Sequence, residues 1–136
     1  MPAMTASELA DFLDGRHLTD LVTLHPDGGP HVAPVWYQYV EGRVLVMASG
    51  TAVKARNIRR DPRVALSIAT PTEPYLYVVM EGTATVRAEG VEGTVREICV
   101  RYRGPERGGA YARELIADGD TVVIEVTPSR VMTMQD

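Results

Sequence analysis

The chain has 136 residues, 45% hydrophobic and 24% charged, which is the size and composition of one globular domain with a core of its own. A formal net charge of −4 argues against a general nucleic-acid or anionic-membrane surface, because a phosphate backbone needs a basic face. Cys99 is the only cysteine, which excludes an internal disulfide and any paired-cysteine zinc site.

The N-terminal Met1-Pro-Ala-Met-Thr5 has neither the basic nor the apolar region of a secretory leader. No apolar run reaches the roughly 20 residues of a membrane helix. A cytoplasmic setting is expected. Thr5-Ala-Ser-Glu8 reads as a capping box. Leu9, Phe12 and Leu13 give the following helix one apolar face, and Gly15 ends it. This helix occupies residues 1–17, and the rest of a single domain, residues 18–136, is expected to be a barrel.

Leu18 to Leu24 reads as a strand, Pro26-Asp-Gly-Gly-Pro30 as a turn, and His31 to Tyr39 as a second strand. Glu41-Gly42 turns the chain into Arg43 to Met47, where consecutive Val, Leu, Val and Met predict burial on both faces. These three strands are expected to form an antiparallel meander. Ala52 to Arg60 is helix-compatible, with Thr51 as its N-cap and Asp61-Pro62 as its stop. Val64 to Ala69 and Leu76 to Val86 are strands, and Gly82 marks a bulge in the second. A helix over Val91 to Tyr102 follows, then a loop from Gly104 to Gly109 and a short helix from Ala110 to Ala117. Thr121 to Thr127 alternates as a last strand, which Arg130 to Met134 can extend. The fold class is therefore mainly β (α+β), with six to seven antiparallel strands and short outer helices.

Chemical motifs are scarce. There is no GxGxxG or Walker A loop, no HExxH and no GxSxG. His17, His25 and His31 lack metal-ligand spacing, and no pair of carboxylates stands out for acid–base work. No catalytic side chain and no metal site are expected.

The run Ser49-Gly-Thr-Ala-Val-Lys-Ala-Arg-Asn-Ile-Arg-Arg-Asp61 is different. A glycine-containing turn leads into a helix start, whose free N–H groups suit an anion. Ser49 and Thr51 add hydroxyls. Lys54 is the only lysine, against thirteen arginines. It falls in the first helical turn, where the dipole disfavours a cation unless an anion is bound. A capped surface helix with a solvated lysine explains the same residues. Pro34-Val-Trp36 is a second feature: a strand edge able to receive a planar ring, or simply a core tryptophan.

Together these runs resemble one family. Leu21 to Trp36, Lys54 to Val64 and Pro74 to Gly82, in that order, are similar to the pyridoxamine 5'-phosphate oxidase-like superfamily, in its flavin/deazaflavin oxidoreductase branch. The resemblance implies an FMN-binding-like split β-barrel and a homodimer with cofactor at the interface. It implies that Pro34, Val35 and Trp36 border the cofactor ring, with Met47, Ala48 and Ser49 beside the ring and its side chain. Gly50, Thr51, Val53, Lys54 and Asn57 then form the phosphate turn and helix, and Tyr77 approaches from the partner chain. Many members carry a second basic residue just ahead of the lysine; Thr51-Ala-Val53 has none, which leaves Arg56, Arg59 or Arg60 to compensate. The tryptophan- and arginine-rich C-terminal motif of the pyridoxamine oxidases proper is absent. The resemblance therefore implies hydride transfer between reduced F420 and a small electron-poor molecule. An FMN-dependent oxidoreductase and a non-catalytic flavin- or deazaflavin-binding protein are the alternatives.

Overall fold

A computed structural model describes residues 3–135; the expectations made for Met1, Pro2 and Asp136 lie outside the described residues. In chain order the elements are α1 (Ala6–Leu13), β1 (Thr19–Leu24), β2 (Pro30–Val35), β3 (Tyr37–Val40), β4 (Arg43–Ser49) and α2 (Val53–Arg60). There follow β5 (Arg63–Ala69), β6 (Leu76–Arg87), α3 (Glu92–Arg103), α4 (Pro105–Asp118) and β7 (Thr121–Gln135).

All seven strands join one antiparallel sheet in the order β2-β1-β5-β6-β7-β4-β3. β2 and β3 are consecutive in the chain, with only Trp36 between them, yet they form opposite edges of the sheet. A flat sheet cannot satisfy both facts. The sheet curls until its edges approach each other at Trp36, and because β2 and β3 do not pair, the barrel stays split. The fold is the split barrel that the resemblance implied.

Alternation places the core. Leu21, Val44, Val46, Leu66, Ile68, Val78, Met80, Ile124 and Val126 point inward and are buried. Helix α1 adds Phe12 and Leu13 to this core, and α2 adds Ala55 and Ile58. A second, smaller core lies outside the barrel, where Leu45 and Val123 meet Val95, Cys99 and Ala112 of the α3–α4 pair. The reading of residues 43–47 as buried on both faces is thus correct, and the two cores explain it.

The predicted capping box is present: the Glu8 amide donates to the Thr5 hydroxyl at 3.1 Å, and the Thr5 amide to the Glu8 carboxylate at 2.9 Å. So is the bulge, a register shift between Glu81 and Gly82. A Cβ on Gly82 would lie 2.2 Å from the Thr127 carbonyl oxygen, so only glycine lets β7 approach there.

Four local expectations need correction. Residues 31–39 are two strands, not one, because the chain changes sheet edge at Trp36. Consequently the expected three-stranded meander is two separate hairpins, β1–β2 and β3–β4. The N-cap of α2 is Ala52, not Thr51, and no side chain caps it. Finally, the expected loop at 104–109 is helical. Pro105 starts α4, and Gly108 lets α4 pack on α3, where a Cβ would meet the Cys99 carbonyl oxygen at 2.4 Å.

Candidate functional site

The corner at Trp36 opens into a cleft of about 310 Å³. Pro34 and Val35 come from the end of β2, Trp36 from the corner after it, Met47 from β4 and Lys54 from α2, all expected there. Leu18, Arg103 and Tyr111 also line it. A smaller recess of about 160 Å³ shares Met47 and Tyr111 with the cleft, and adds Ala48, Ser49, Asp118 and Asp120.

The aromatic wall is ordered by stacking. Trp36 lies parallel to Tyr102, with ring centroids 5.0 Å apart and planes 5° apart. Tyr111 stands edge-on to Trp36 at 6.1 Å and 77°. The Arg103 guanidinium carbon lies 5.1 Å from the Trp36 ring centre and 4.4 Å from that of Tyr111. Behind this wall Arg101 binds the chain together, donating to the carbonyls of Leu13, Asp14, Gly15 and Tyr37 at 2.6–3.1 Å. The Tyr102 hydroxyl accepts from the Tyr37 amide and donates to the His17 carbonyl. Burial pushes the Tyr102 and Tyr37 hydroxyls above their ordinary pKa, so both are neutral donors.

Lys54 is half-buried, and among the described residues it has no hydrogen-bond or ion-pair partner. The missing cap of α2 has a consequence here. Thr51, the expected cap, instead has its hydroxyl 3.1 Å from that of Ser49. An alanine N-cap forgoes about 1 kcal/mol relative to serine or threonine, and it leaves the first amides of α2 open to an anion. Lys54 thus stands beside an uncapped helix start.

A carboxylate complicates the turn. Ser49 donates its hydroxyl to Asp120, and the Gly50 amide donates to the Asp120 carbonyl at 2.7 Å. Asn57 is buried and turned away, its amide donating to Thr23 at 2.9 Å and accepting from Arg60 at 3.1 Å. Val53 is exposed. Tyr77 lies on β6 between Ala69 and Met134, and does not line the cleft. Of the arginines named as compensators, Arg59 donates to the Gly50 carbonyl at 2.6 Å and Arg60 to that of Leu24.

No nucleophile–base pair faces the cleft. Cys99 is buried with its thiol 3.9 Å from the Met47 sulfur, and burial pushes its pKa up, which makes it unreactive. Among the described residues no group of three metal-ligating side chains converges, and no helix is long and apolar enough to cross a membrane. A larger depression of about 440 Å³, at Val22, Ala65, Glu81 and Gly82, contains none of the expected site residues and no aromatic ring.

Arg103 and Tyr111 escaped the sequence reading because, with residues 104–109 read as a loop, nothing placed the end of the first helix against the second. Pro105 at the helix start and the spacing of Tyr111, Leu115 and Ile116 were the signals that could have extended α4 backwards.

Comparison with known proteins agrees with this architecture. The chain is 29% identical to the F420H2-dependent biliverdin reductase of Mycobacterium tuberculosis, over 97% of this chain and 93% of the relative. It is similar to the crystal structure of a conserved hypothetical protein from Mycobacterium tuberculosis, with a TM-score of 0.82 and 26% identity over 97% of this chain and 85% of the other. A solved F420 reductase shares the fold at a TM-score of 0.72 and 24% identity, over 89% and 93% of the two chains. The pyridoxamine 5'-phosphate oxidase family model matches residues 5–135, and the chain belongs to that family.

Proposed function

We propose that the protein is an oxidoreductase that uses the deazaflavin F420 to reduce a small electron-poor molecule. The observation that carries this reading is the cleft, an apolar and aromatic wall beside an unpartnered lysine and an uncapped helix start. The F420H2-dependent relative, aligned over 97% of this chain, supports the choice of cofactor.

The residues present fit such a cofactor at both ends. Pro34, Val35, Trp36, Met47 and Ala48 would border its ring, while Lys54 and the α2 amides would hold its phosphate, with Ser49, Gly50, Thr51 and Val53 around the turn. Asn57 would act from beneath, by anchoring α2 to Thr23. The bound cofactor supplies the hydride chemistry, which is why the cleft needs no acid–base pair. What the chain supplies is position, exclusion of water and one compensating charge.

FMN is the second reading. Its tail ends in a single phosphate with no acidic groups beyond it, and Lys54 is the cation that α2 places in the cleft. Titrating the protein separately with F420 and FMN, with Trp36 fluorescence as the signal, tests both readings. Binding of neither below the high micromolar range would sink them and leave a protein that has lost the cofactor; the Ser49–Asp120 contact in the turn is the feature favouring that outcome.

The cleft is shallow for a whole cofactor, and a second copy of the chain is proposed to complete it. Val22, Ala65, Val79 and Met132 lie on the uncovered outer face of the sheet, interspersed with Ser67, Glu81 and Arg130, and Met132 is 51% exposed. Tyr77 lies on the same face and would reach the partner's cleft. A monomer on size-exclusion chromatography with light scattering would rule this out.

A further inference from the structure

We propose that Arg103 selects the substrate, by holding a carboxylate on a planar, conjugated molecule that enters the Trp36 cleft. This deepens the oxidoreductase reading and rests on it only for the word substrate; the recognition itself stands on Arg103, Trp36 and Tyr111.

Several arginines are held by partners within the chain. Arg101, two residues earlier on α3, donates to four carbonyls. Arg43 pairs with Glu125 at 3.1 Å, and Arg59 donates to Gly50. Arg103 ends α3, and among the described residues it has no carboxylate or carbonyl partner. Instead its guanidinium lies over Trp36 and Tyr111. None of its N–H groups is engaged by an acceptor among the described residues, and a guanidinium takes a carboxylate through two parallel hydrogen bonds. Trp36 is itself held by Tyr102, so the cation rests on a fixed plate and loses little freedom when it binds.

The shape of the site points to flat ligands. Trp36 and Tyr111 meet at 77°, which makes an aromatic corner rather than a hole. Charge points the same way. The neighbouring recess carries Asp118 and Asp120 and repels anions, whereas the cleft carries Lys54 and Arg103 and no acid. With Lys54 assigned to the cofactor phosphate, Arg103 is the cation left for a second ligand.

Trp36 is the only tryptophan, so its single indole N–H resonance reports ligand entry without any turnover. The test is a titration of the cofactor-free protein with 2-naphthoate and with its neutral counterpart 2-naphthamide, following that resonance. The naphthoate is expected to bind about tenfold more tightly, with the preference shrinking as salt is added. Arg103→Gln should reduce the preference to within about twofold, while Lys54→Ala should leave most of it. Thermal unfolding of both variants confirms that the fold is kept. Equal affinity for the two probes, no shift with either in the millimolar range, or a preference that survives Arg103→Gln each overturns the proposal. Loss of the preference in Lys54→Ala alone also overturns it, because the anion would then belong to Lys54. No cofactor is present, so failure of the F420 and FMN titrations would leave this result untouched.

Discussion

The outer face of the sheet is two different surfaces. Over β4 and the first half of β7 it is covered: Leu45, Met47 and Val123 pack under α3 and α4. Over β1, β5, β6 and the second half of β7 it is bare, and Val22, Ala65, Val79 and Met132 reach solvent to varying degrees. The covered half is apolar, whereas the bare half mixes these side chains with Asp20, Ser67, Glu81 and Arg130, the last two paired at 3.9 Å. The covered half, rigid and closed by its own helices, is the half that carries the Trp36 cleft. The bare half is where a second copy of the chain is proposed to sit, so the two ends of one sheet would serve different purposes.

Substitutions can separate the two halves. The largest effect is expected on the covered side, where Arg101→Ala removes a charged donor from four carbonyls at once and leaves them poorly paired. A loss of about 3 kcal/mol is expected from the cost of such unpaired groups, measured by urea unfolding. Next comes Gly82→Ala, whose methyl group would strike the Thr127 carbonyl; about 2 kcal/mol is expected from displaced backbone. A loss under a few tenths would mean that β7 moves aside freely. On the bare side, Val79→Glu should leave the thermal midpoint of the isolated chain nearly unchanged while converting the proposed dimer to a monomer by light scattering. If unfolding of the monomer suffers equally, the two halves are not independent. Lys54→Ala should weaken cofactor binding about tenfold, roughly 1.4 kcal/mol, with no loss of stability; unchanged affinity removes Lys54 from the site. The smallest effect concerns pH. Arg63 beside Asp61 holds the carboxyl down to about 2. Its stabilisation is therefore fully present above the ordinary carboxylate range and is lost as pH falls toward about 2. Both groups are solvent-facing, so the Arg63→Gln variant should differ from the parent in its acid melting profile only marginally.

Much of this was legible in sequence wherever local physics decides. The capping box at Thr5, the bulge at Gly82 and the two-faced burial of residues 43–47 depend on neighbours a few residues apart or on hydrophobic period alone. Long-range pairing was not legible. Nothing in Pro34-Val-Trp-Tyr37 says that the chain leaves one edge of a sheet and joins the other, since both halves keep strand periodicity across the break. The site shows the same division. Motif order brought Pro34, Val35, Trp36, Met47 and Lys54 to one cleft, but it could not show Asn57 engaged beneath α2 or Asp120 reaching Ser49 from far along the chain. Arg103, the last residue of α3, was missed because it lies one residue past the expected helix and meets Tyr111 only through the packing of α4 on α3.

The place of β7 in the strand order has a consequence for how the chain is made. Of the seven strands it is the last to be synthesised, and its fifteen residues lie between β6 and β4. Until it arrives, the earlier strands can form only two fragments, β2-β1-β5-β6 and the β3–β4 hairpin, with no hydrogen bonds joining them. The barrel therefore cannot close before β7 has emerged. A nascent chain stalled before residue 121 holds two unfinished sheets rather than a barrel lacking one edge, and in this sense β7 is the keystone laid last.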